Sequence, residues 1–299
     1  MTICKDRVVI VTGAGRGIGR GHALSLAAQG ARVVVNDLGA EVDGTGGSIG
    51  PAGEVVDAIR AMGGEAIANG DDVSDFDAAG RLVQSAIDQW GRLDVVVNNA
   101  GILRDRMLTN MTEAEWDAVI KVHLKGTFGP SHHAAAYWRN RAKAGETNDA
   151  RIINTSSTSG IFGNPGQTNY GAAKAGIAAF TVIAAQELIR YGVTVNAIAP
   201  GALTRMTEGL NPNRPEPKPD EFDRSAPENI APIVTWLASP ESHDVTGRVF
   251  LVAGGVLSVA ESWRRGPTAD KGDRWDPAEL GPVVQKLLAD AAPNTTMRG

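Results

Sequence analysis

The stretch VVIVTGAGRGIGR at residues 8–20 joins a run of β-branched residues to a glycine-rich turn and then to a helical pattern. Glycines at Gly13, Gly17 and Gly19 let a backbone approach a pyrophosphate, and the helix that follows presents free N–H groups and the positive end of its dipole. The pattern predicts a strand, a phosphate-binding loop and a helix in that order. A glycine-rich turn without a ligand is the alternative interpretation of the loop taken in isolation.

Outward from this stretch, short apolar runs alternate with longer Ala-rich stretches of helical periodicity, which is typical of repeated βαβ units. Strands are predicted at 7–12, 31–36, 65–69, 93–98, 151–155, 193–197 and 248–252. Each run is nearly all apolar, as expected for strands that are covered on both faces. The sequence therefore predicts one doubly wound α/β domain over 1–255 with a seven-stranded parallel sheet. A C-terminal extension over 256–299 is expected to hold one helix and not to form an independent domain.

Composition and charge exclude several classes of protein. The 299 residues include 29 Lys and Arg against 34 Asp and Glu, a net charge of −5, without a basic run, so a nucleic-acid partner is not expected. Apolar runs such as VTVNAIAP are shorter than the roughly 18 to 20 residues that span a bilayer, so no membrane partner is expected. A single cysteine, Cys4, and a first strand that starts close to the N-terminus predict a cytoplasmic protein.

Polar and glycine residues follow the predicted second, third and fourth strands, where open α/β sheets bind their ligands. Asp37 ends the second strand, at a position where a carboxylate can accept hydrogen bonds from both hydroxyls of an adenosine ribose. The residues after the next two strands are Asp72, Val73, Asn99, Ala100 and Gly101. We expect them to line a dinucleotide cleft, although a solvated acid and a polar turn are the plainer interpretations.

Tyr170 and Lys174 are four residues apart at the start of a predicted helix, so the phenol and the ammonium lie on one face. A phenol has a reference pKa of ~10, and an adjacent ammonium favours the phenolate. Ser157 comes 13 residues before Tyr170 at the end of the fifth strand, where its hydroxyl can hold a substrate oxygen. The histidines other than His123 form neither an HExxH motif nor an i, i+4 pair, so no metal site is predicted.

In this order, TGAGRGIG, Asp72-Val73, NNAG, Ser157, YxxxK and Pro200-Gly201 resemble the short-chain dehydrogenase/reductase family, over about residues 5–255. The resemblance implies a single Rossmann domain. The predicted helix 169–190 has apolar or small residues over most of its circumference, so a homodimer or homotetramer is expected through this helix and the predicted helix 113–142. VVVNDLGA, VHLKGTF and TSSTSGIFGNPGQTNY resemble the branch that holds the (3R)-hydroxyacyl-CoA dehydrogenase units of D-specific multifunctional β-oxidation enzymes and related hydroxysteroid dehydrogenases. That branch implies an acyl-CoA or steroid-derived substrate, and Asp37 predicts NAD as the cofactor.

The family resemblance also implies roles for individual residues. Tyr170 becomes the general acid/base, Lys174 the anchor of the nicotinamide ribose, and Ser157 the ligand of the substrate oxygen. His123 stands where many members have Asn beside a proton-relay water, and it is expected to share in catalysis. The cofactor-binding residues are expected to be Gly13, Arg16, Gly17, Ile18, Gly19, Asp37, Asp72, Val73, Asn99, Ala100, Gly101, Tyr170, Lys174, Pro200 and Gly201.

Two other functions stay open at this point. Arg16 in the glycine loop supplies the basic group that an NADPH-dependent 3-oxoacyl reductase needs, while Asp37 favours NAD. Histidine at position 123 motivates a non-catalytic dinucleotide-binding sensor.

Two segments depart from ordinary βα connections. The Gly-rich segment 38–53 is predicted as a surface loop, and the Pro-rich segment 211–220 as a mobile flap over the substrate. Thr204 is one position earlier than the threonine that many family members use to contact the carboxamide.

Overall fold

A computed structural model describes residues 2–47, 49–203, 221–261 and 263–297 of the protein. Thr204 and the predicted flap at 211–220 lie outside these residues. The described parts form one eight-stranded sheet with strand order β3-β2-β1-β4-β5-β6-β7-β8. The strands are β1 Val8–Thr12, β2 Arg32–Asn36, β3 Glu65–Asn69, β4 Val95–Asn98, β5 Ala150–Thr155, β6 Val193–Gly201, β7 Val249–Ala253 and β8 Val256–Ala260.

The sheet confirms the predicted doubly wound α/β class. The strand order reverses between β1 and β4, which places a topological switch point at the carboxyl end of β1. Strands β1 to β7 pair in parallel, whereas β8 pairs antiparallel with β7. The prediction of seven parallel strands is corrected on this point. Gly254 and Gly255 form a two-residue turn that folds the chain back, and β8 lies within the segment assigned to the C-terminal extension.

Nine α-helices are present in the described part of the chain. They are α1 Gly17–Ala28, α2 Gly50–Ala61, α3 Phe76–Trp90, α4 Glu113–Ile120, α5 Gly126–Lys143, α6 Thr158–Phe162, α7 Thr168–Leu188, α8 Ala231–Ala238 and α9 Leu280–Asp290. Capping side chains determine where two of these helices begin. Thr112 and Glu115 form a reciprocal capping box at α4, and Asp75 accepts a hydrogen bond from the Ala78 N–H at the start of α3.

One predicted helix, 113–142, is not continuous. Between α4 and α5 the residues Lys121–Lys125 form one turn of π-helix. A π turn inserts one extra residue into an α-helix and redirects the side chains beside it, and such turns are frequent at functional sites. Here the redirected side chain is that of His123, which is buried.

The core consists of two layers, one on each face of the sheet. Val9 and Val11 of β1 pack into a cluster that includes residues of α1, α2 and α8. Val8 and Ile10 point the other way, into a cluster that includes residues of α3, α5 and α7. This alternation follows from the two-residue period of a strand. Covering of both faces explains why the central strands β1, β4 and β5 are buried along their whole length.

Helix α7 carries both Tyr170 and Lys174. The segment Thr168–Tyr191 is long and apolar enough to cross a membrane by length and composition, and it is the one such segment in the described part of the chain. It packs against β6, α4 and α6, and Ile177, Thr181 and Ala185 on its inner face are buried. Within the described chain, 33% of its apolar window is buried.

Candidate active site

A cleft of about 600 Å³ opens at the carboxyl ends of the parallel strands. It extends from the ends of β2 and β3 across β1 and β4 to the ends of β5 and β6. The sequence-predicted site residues that line it are Gly13, Arg16, Gly17, Ile18, Gly19, Asp37, Asp72, Val73, Asn99, Ala100, Gly101, His123, Ser157, Tyr170, Lys174, Pro200 and Gly201. The fold thus brings every residue of the predicted site into one cavity, although the roles assigned to these residues stay predictions.

The glycine loop after β1 forms a cradle with little free space around its backbone. A Cβ atom at Gly19 would lie 2.1 Å from the Gly13 carbonyl oxygen, so only glycine fits there. The Asn99 Nδ2 donates hydrogen bonds to the carbonyl oxygens of Thr12 and Gly13, both at 3.0 Å. Helix α1 begins at Gly17 without a side-chain cap, so its first N–H groups are left to bind an anion.

Asp37 holds the other side of this cradle. Its Oδ2 accepts a hydrogen bond from the Gly15 N–H at 2.7 Å, and its Oδ1 accepts one from the Gly39 N–H at 2.6 Å. Each carboxylate oxygen can accept a further hydrogen bond, so the group still has acceptor capacity for two hydroxyls. Asp37 therefore connects the glycine loop to the segment after β2 and remains able to bind a ligand.

Ser157, Tyr170 and Lys174 meet at the opposite end of the cleft. Burial raises the pKa of Tyr170 above its usual value of 10.0, and a hydrogen bond with the Ser157 side chain lowers it in part. Burial lowers the pKa of Lys174 to about 7. The Lys174 Nζ donates a hydrogen bond to the Thr155 carbonyl oxygen at 2.7 Å and lies 5.5 Å from the centre of the Tyr170 ring. An amine has at least two N–H donors, so one remains for a ligand.

His123 lies behind Tyr170. Its ring meets the Tyr170 ring edge to face, with 5.1 Å between the ring centres. The His123 Nε2 lies 2.7 Å from the Ile102 carbonyl oxygen and 3.1 Å from the Ile102 backbone nitrogen. A protonated Nε2 suits the contact with the carbonyl oxygen, and an unprotonated Nε2 suits the contact with the N–H group. Burial, with the nearby Lys174 charge, lowers the pKa of His123 to about 3. His123 is therefore a neutral imidazole around pH 7.

The packing around His123 explains Gly101 of the NNAG motif. A Cβ atom at Gly101 would lie 2.3 Å from the His123 Cε1. The imidazole consequently fills the space beside this backbone and contacts the Tyr170 ring on its other side. Among the described residues, the buried His123 Nδ1 has no hydrogen-bond partner.

Sequence reasoning did not identify Gln167, a buried residue that also lines the cleft. Its Oε1 accepts hydrogen bonds from Ser159 Oγ at 2.7 Å and Asn164 Nδ2 at 2.9 Å, while its Nε2 donates to Asp105 Oδ2 at 2.7 Å. Gln167 immediately precedes α7, so these bonds hold the first turn of the helix that carries Tyr170. The sequence offered one signal for this residue, its position three residues before Tyr170. Its hydrogen-bond partners Ser159 and Asp105 come from other segments of the chain.

The family model described as short chain dehydrogenase matches residues 7–215, more than half of the chain and all but the last strands of the sheet. The chain belongs to the short-chain dehydrogenase family. Members of this family bind a nicotinamide dinucleotide, and the protein is an oxidoreductase of this class.

Similar proteins extend the comparison beyond the matched segment. The dehydrogenase is 44% identical over 300 residues to a hydroxyacyl-CoA dehydrogenase of Mycobacterium tuberculosis, covering 98% of this chain and 92% of that protein. It is 45% identical over 259 residues to the peroxisomal multifunctional enzyme type 2 of Mus musculus, covering 87% of this chain and 33% of that protein. A crystal structure of a short chain dehydrogenase from Mycobacterium avium has a TM-score of 0.88 and 58% identity, covering 98% of each chain.

Proposed function

We propose that the protein is an NAD-dependent dehydrogenase that interconverts a 3-hydroxyacyl-CoA and the corresponding 3-oxoacyl-CoA. The observation that carries the proposal is the convergence of Ser157, Tyr170 and Lys174 at one end of a cleft whose other end holds a phosphate cradle and Asp37. The similar protein from Mycobacterium tuberculosis is named a hydroxyacyl-CoA dehydrogenase, and this name supports an acyl-CoA substrate over a steroid.

The residues present fit a nicotinamide dinucleotide. The uncapped start of α1 and the close approach at Gly19 suit a pyrophosphate, and Asp37 suits the two hydroxyls of an adenosine ribose. Lys174 has a donor left for the second ribose. When bound, the nicotinamide supplies the atom that accepts or donates the hydride.

The chain's own residues handle the proton. In ketone reduction Tyr170 donates its phenolic proton to the substrate oxygen, and its raised pKa keeps that proton in place beforehand. In alcohol oxidation Tyr170 takes the proton back, and Lys174 in its protonated form favours this step. A bound oxidised nicotinamide would add a second positive charge. Ser157 holds the substrate oxygen beside the phenol. General acid/base catalysis of this kind contributes roughly 10² to 10⁴ in rate.

The direct test is a matrix of substrates and cofactors. The purified chain is assayed with NAD or NADP against 3-hydroxybutyryl-CoA, longer 3-hydroxyacyl-CoA homologues and a hydroxysteroid, and nicotinamide absorbance is followed. We expect the highest kcat/KM with NAD and a 3-hydroxyacyl-CoA. Faster oxidation of the steroid would contradict the proposed substrate.

A second candidate is an NADPH-dependent 3-oxoacyl reductase. Arg16 lines the cleft at the start of α1, where a guanidinium can pair with a 2′-phosphate. The chain is also 42% identical over 259 residues to a 3-oxoacyl-[acyl-carrier-protein] reductase of Synechocystis. Acyl-carrier substrates with NADPH in the same matrix distinguish this candidate. A non-catalytic sensor is disfavoured by the assembled Ser157, Tyr170 and Lys174.

For His123 we propose a positioning role in place of a proton relay. Its Nε2 is engaged by the Ile102 backbone, its ring supports Tyr170, and its low pKa keeps it neutral across the range in which the enzyme works. The imidazole thus fixes the distance between the NNAG segment and the catalytic tyrosine.

Two substitutions of His123 test this role. The amide of Gln can reach the position of the histidine Nε2, so we expect His123→Gln to keep kcat within about threefold of the wild type. The shorter Asn cannot reach it, so His123→Asn is expected to lower kcat about tenfold, the scale of one lost hydrogen bond. The pH profile of kcat should be unchanged in both. Equal losses in both variants with an altered pH profile would support a relay.

The chain is also proposed to form a homodimer or homotetramer through α4, α5 and α7. These helices expose the large apolar side chains of Trp116, Phe128 and Ile183, with Ile183 57% exposed. We expect light scattering at micromolar concentration to give at least the mass of a dimer, and Ile183→Asp to reduce it. A strictly monomeric mass for the wild type would contradict this assembly. The cytoplasmic location stays a prediction.

A further inference from the structure

The segment after β2 does more than connect β2 to α2. Residues 38–47, here called the strap, follow Asp37, and Leu38 and residues 40–44 line the cleft. The sequence predicts a surface loop here, and the strap is indeed largely exposed, but its inner side forms a wall of the cavity. Its exposure and length are unusual for a βα connection, which typically has 2 to 6 residues.

The strap holds its own shape through a closed turn. The Glu41 N–H donates to the Thr45 carbonyl oxygen at 2.8 Å, and the Gly44 N–H donates to the Glu41 carbonyl oxygen at 2.9 Å. The Asp43 Oδ1 accepts hydrogen bonds from the Thr45 N–H at 2.9 Å and the Thr45 Oγ1 at 2.8 Å. Side-chain bonds of this kind stabilise turns locally.

The tip of this turn is tied to the segment that follows β4. The Leu103 N–H donates to the Val42 carbonyl oxygen at 3.1 Å, and the Arg104 Nε donates to the Asp43 carbonyl oxygen at 2.9 Å. Gly44 lies against the Ile102 side chain. At its other end the strap is tied to Asp37, which accepts the Gly39 N–H.

The strand order shows what lies beneath the strap. In the sequence β2-β1-β4 of the sheet, β1 separates the two strands to which the strap is attached. Neighbouring strands are ~4.8 Å apart, so the strap spans about 10 Å across the end of β1. The phosphate loop follows β1 and lines the same cleft. The strap therefore borders the part of the cleft in which a dinucleotide with its phosphates at the start of α1 would lie.

We propose that the strap retains the bound cofactor, and that Arg104 is the positioning residue that holds the strap in place. The proposal rests on the nicotinamide cofactor of the proposed function and is independent of the substrate. Because the strap covers the cofactor, its attachment to residues 102–104 governs how fast the dinucleotide leaves. The chemical step at Tyr170 lies at the other end of the cleft and is unaffected.

Substitution of Arg104 gives the first test. Arg104→Leu removes the hydrogen bond to Asp43, and we expect the dissociation rate constant of NADH, measured by stopped-flow fluorescence, to rise about tenfold. The matched control is Arg106→Leu. Arg106 lies on the same segment but pairs with Glu115, so NADH release should stay within about twofold of the wild type. An unchanged release rate in Arg104→Leu would overturn the proposal.

A shortened strap separates retention by the strap from direct binding by Arg104. Replacement of residues 40–46 by Gly-Ser-Gly is expected to speed NADH release at least as much as Arg104→Leu, and the two changes together should give no further increase. If Arg104→Leu speeds release equally in the shortened chain, Arg104 contacts the cofactor directly and the proposal is wrong.

Hydrogen exchange on the wild-type chain provides a readout without any substitution. NADH should slow amide exchange in residues 41–45, since their turn closes over the ligand. Unchanged exchange there would also overturn the proposal. Failure of the wild type to bind NADH at all would instead contradict the proposed function, so the two failures are distinguishable.

Discussion

Tyr170→Phe is expected to lower kcat by ~10² or more, because it removes the hydroxyl that we propose as the general acid/base. The Phe ring keeps the edge-to-face contact with His123, at 5.1 Å between ring centres in the wild type, and leaves Lys174 bonded to the Thr155 carbonyl. The Kd for NADH, measured by fluorescence titration, should therefore change by less than about threefold. Binding and turnover should separate in this variant.

Tyr137→Phe is the matched control for this change. Tyr137 lies on α5, and its hydroxyl interacts with Arg141, 3.2 Å away, outside the cleft. The same loss of one hydroxyl should leave kcat near the wild-type value. Wild-type turnover in Tyr170→Phe on the best substrate would show that Tyr170 is not the proton donor, and it would favour the sensor interpretation.

Asp37→Ala is expected to abolish a preference for NAD over NADP of roughly 30- to 150-fold in kcat/KM. That ratio corresponds to a repulsion of ~2 to 3 kcal/mol between the carboxylate and a 2′-phosphate, together with the lost ribose hydrogen bonds. Arg16 is expected to oppose this preference, but under the proposed assignment Asp37 occupies the place that a 2′-phosphate would need. No basic residue follows in Leu38, Gly39 or Ala40.

The structure adds a second consequence to this substitution. Asp37 also accepts the Gly15 and Gly39 N–H groups, so Asp37→Ala releases both the phosphate loop and the strap. We expect Asp37→Ala to raise KM for both dinucleotides, and Asp37→Asn, which keeps one acceptor, to raise it less while losing the same selectivity. Equal or better use of NADP by the wild type would contradict the assignment of NAD.

The strands and helices that the sequence predicted correctly are those whose signals lie in residues close together in the chain. The βα order from β1 to β7 follows from apolar runs and helical periodicity, and those properties lie within each element. The eighth strand was missed because VLSVA was assigned to the extension, and its pairing depends on the turn at Gly254 and Gly255. The π turn at Lys121–Lys125 was not predicted either. Its buried residue His123 contacts the Ile102 backbone, 21 residues earlier in the chain, and a local sequence pattern does not show such a contact.

The site shows the same division. Motif order and spacing alone predicted the phosphate loop, Asp37 and the set Ser157, Tyr170 and Lys174. The order of the strands in the sheet determines where the elements that carry these residues lie. Gln167 had only its spacing of three residues from Tyr170 as a signal, and Arg104 had none. Their partners, Asp105 and the Asp43 carbonyl, lie about 60 residues away along the chain.

The amino-acid sequence by itself determined the α/β class, the phosphate loop and the residues that converge on the cleft, since strand and helix periodicity and glycine geometry act over a few neighbouring residues. Tertiary structure alone decided the path of the strap across β1, the neutral state of His123 and the opposing pKa shifts of Tyr170 and Lys174. Each of these depends on burial or on hydrogen bonds between segments distant in the chain, and such contacts exist only after the sheet has brought the strand ends together.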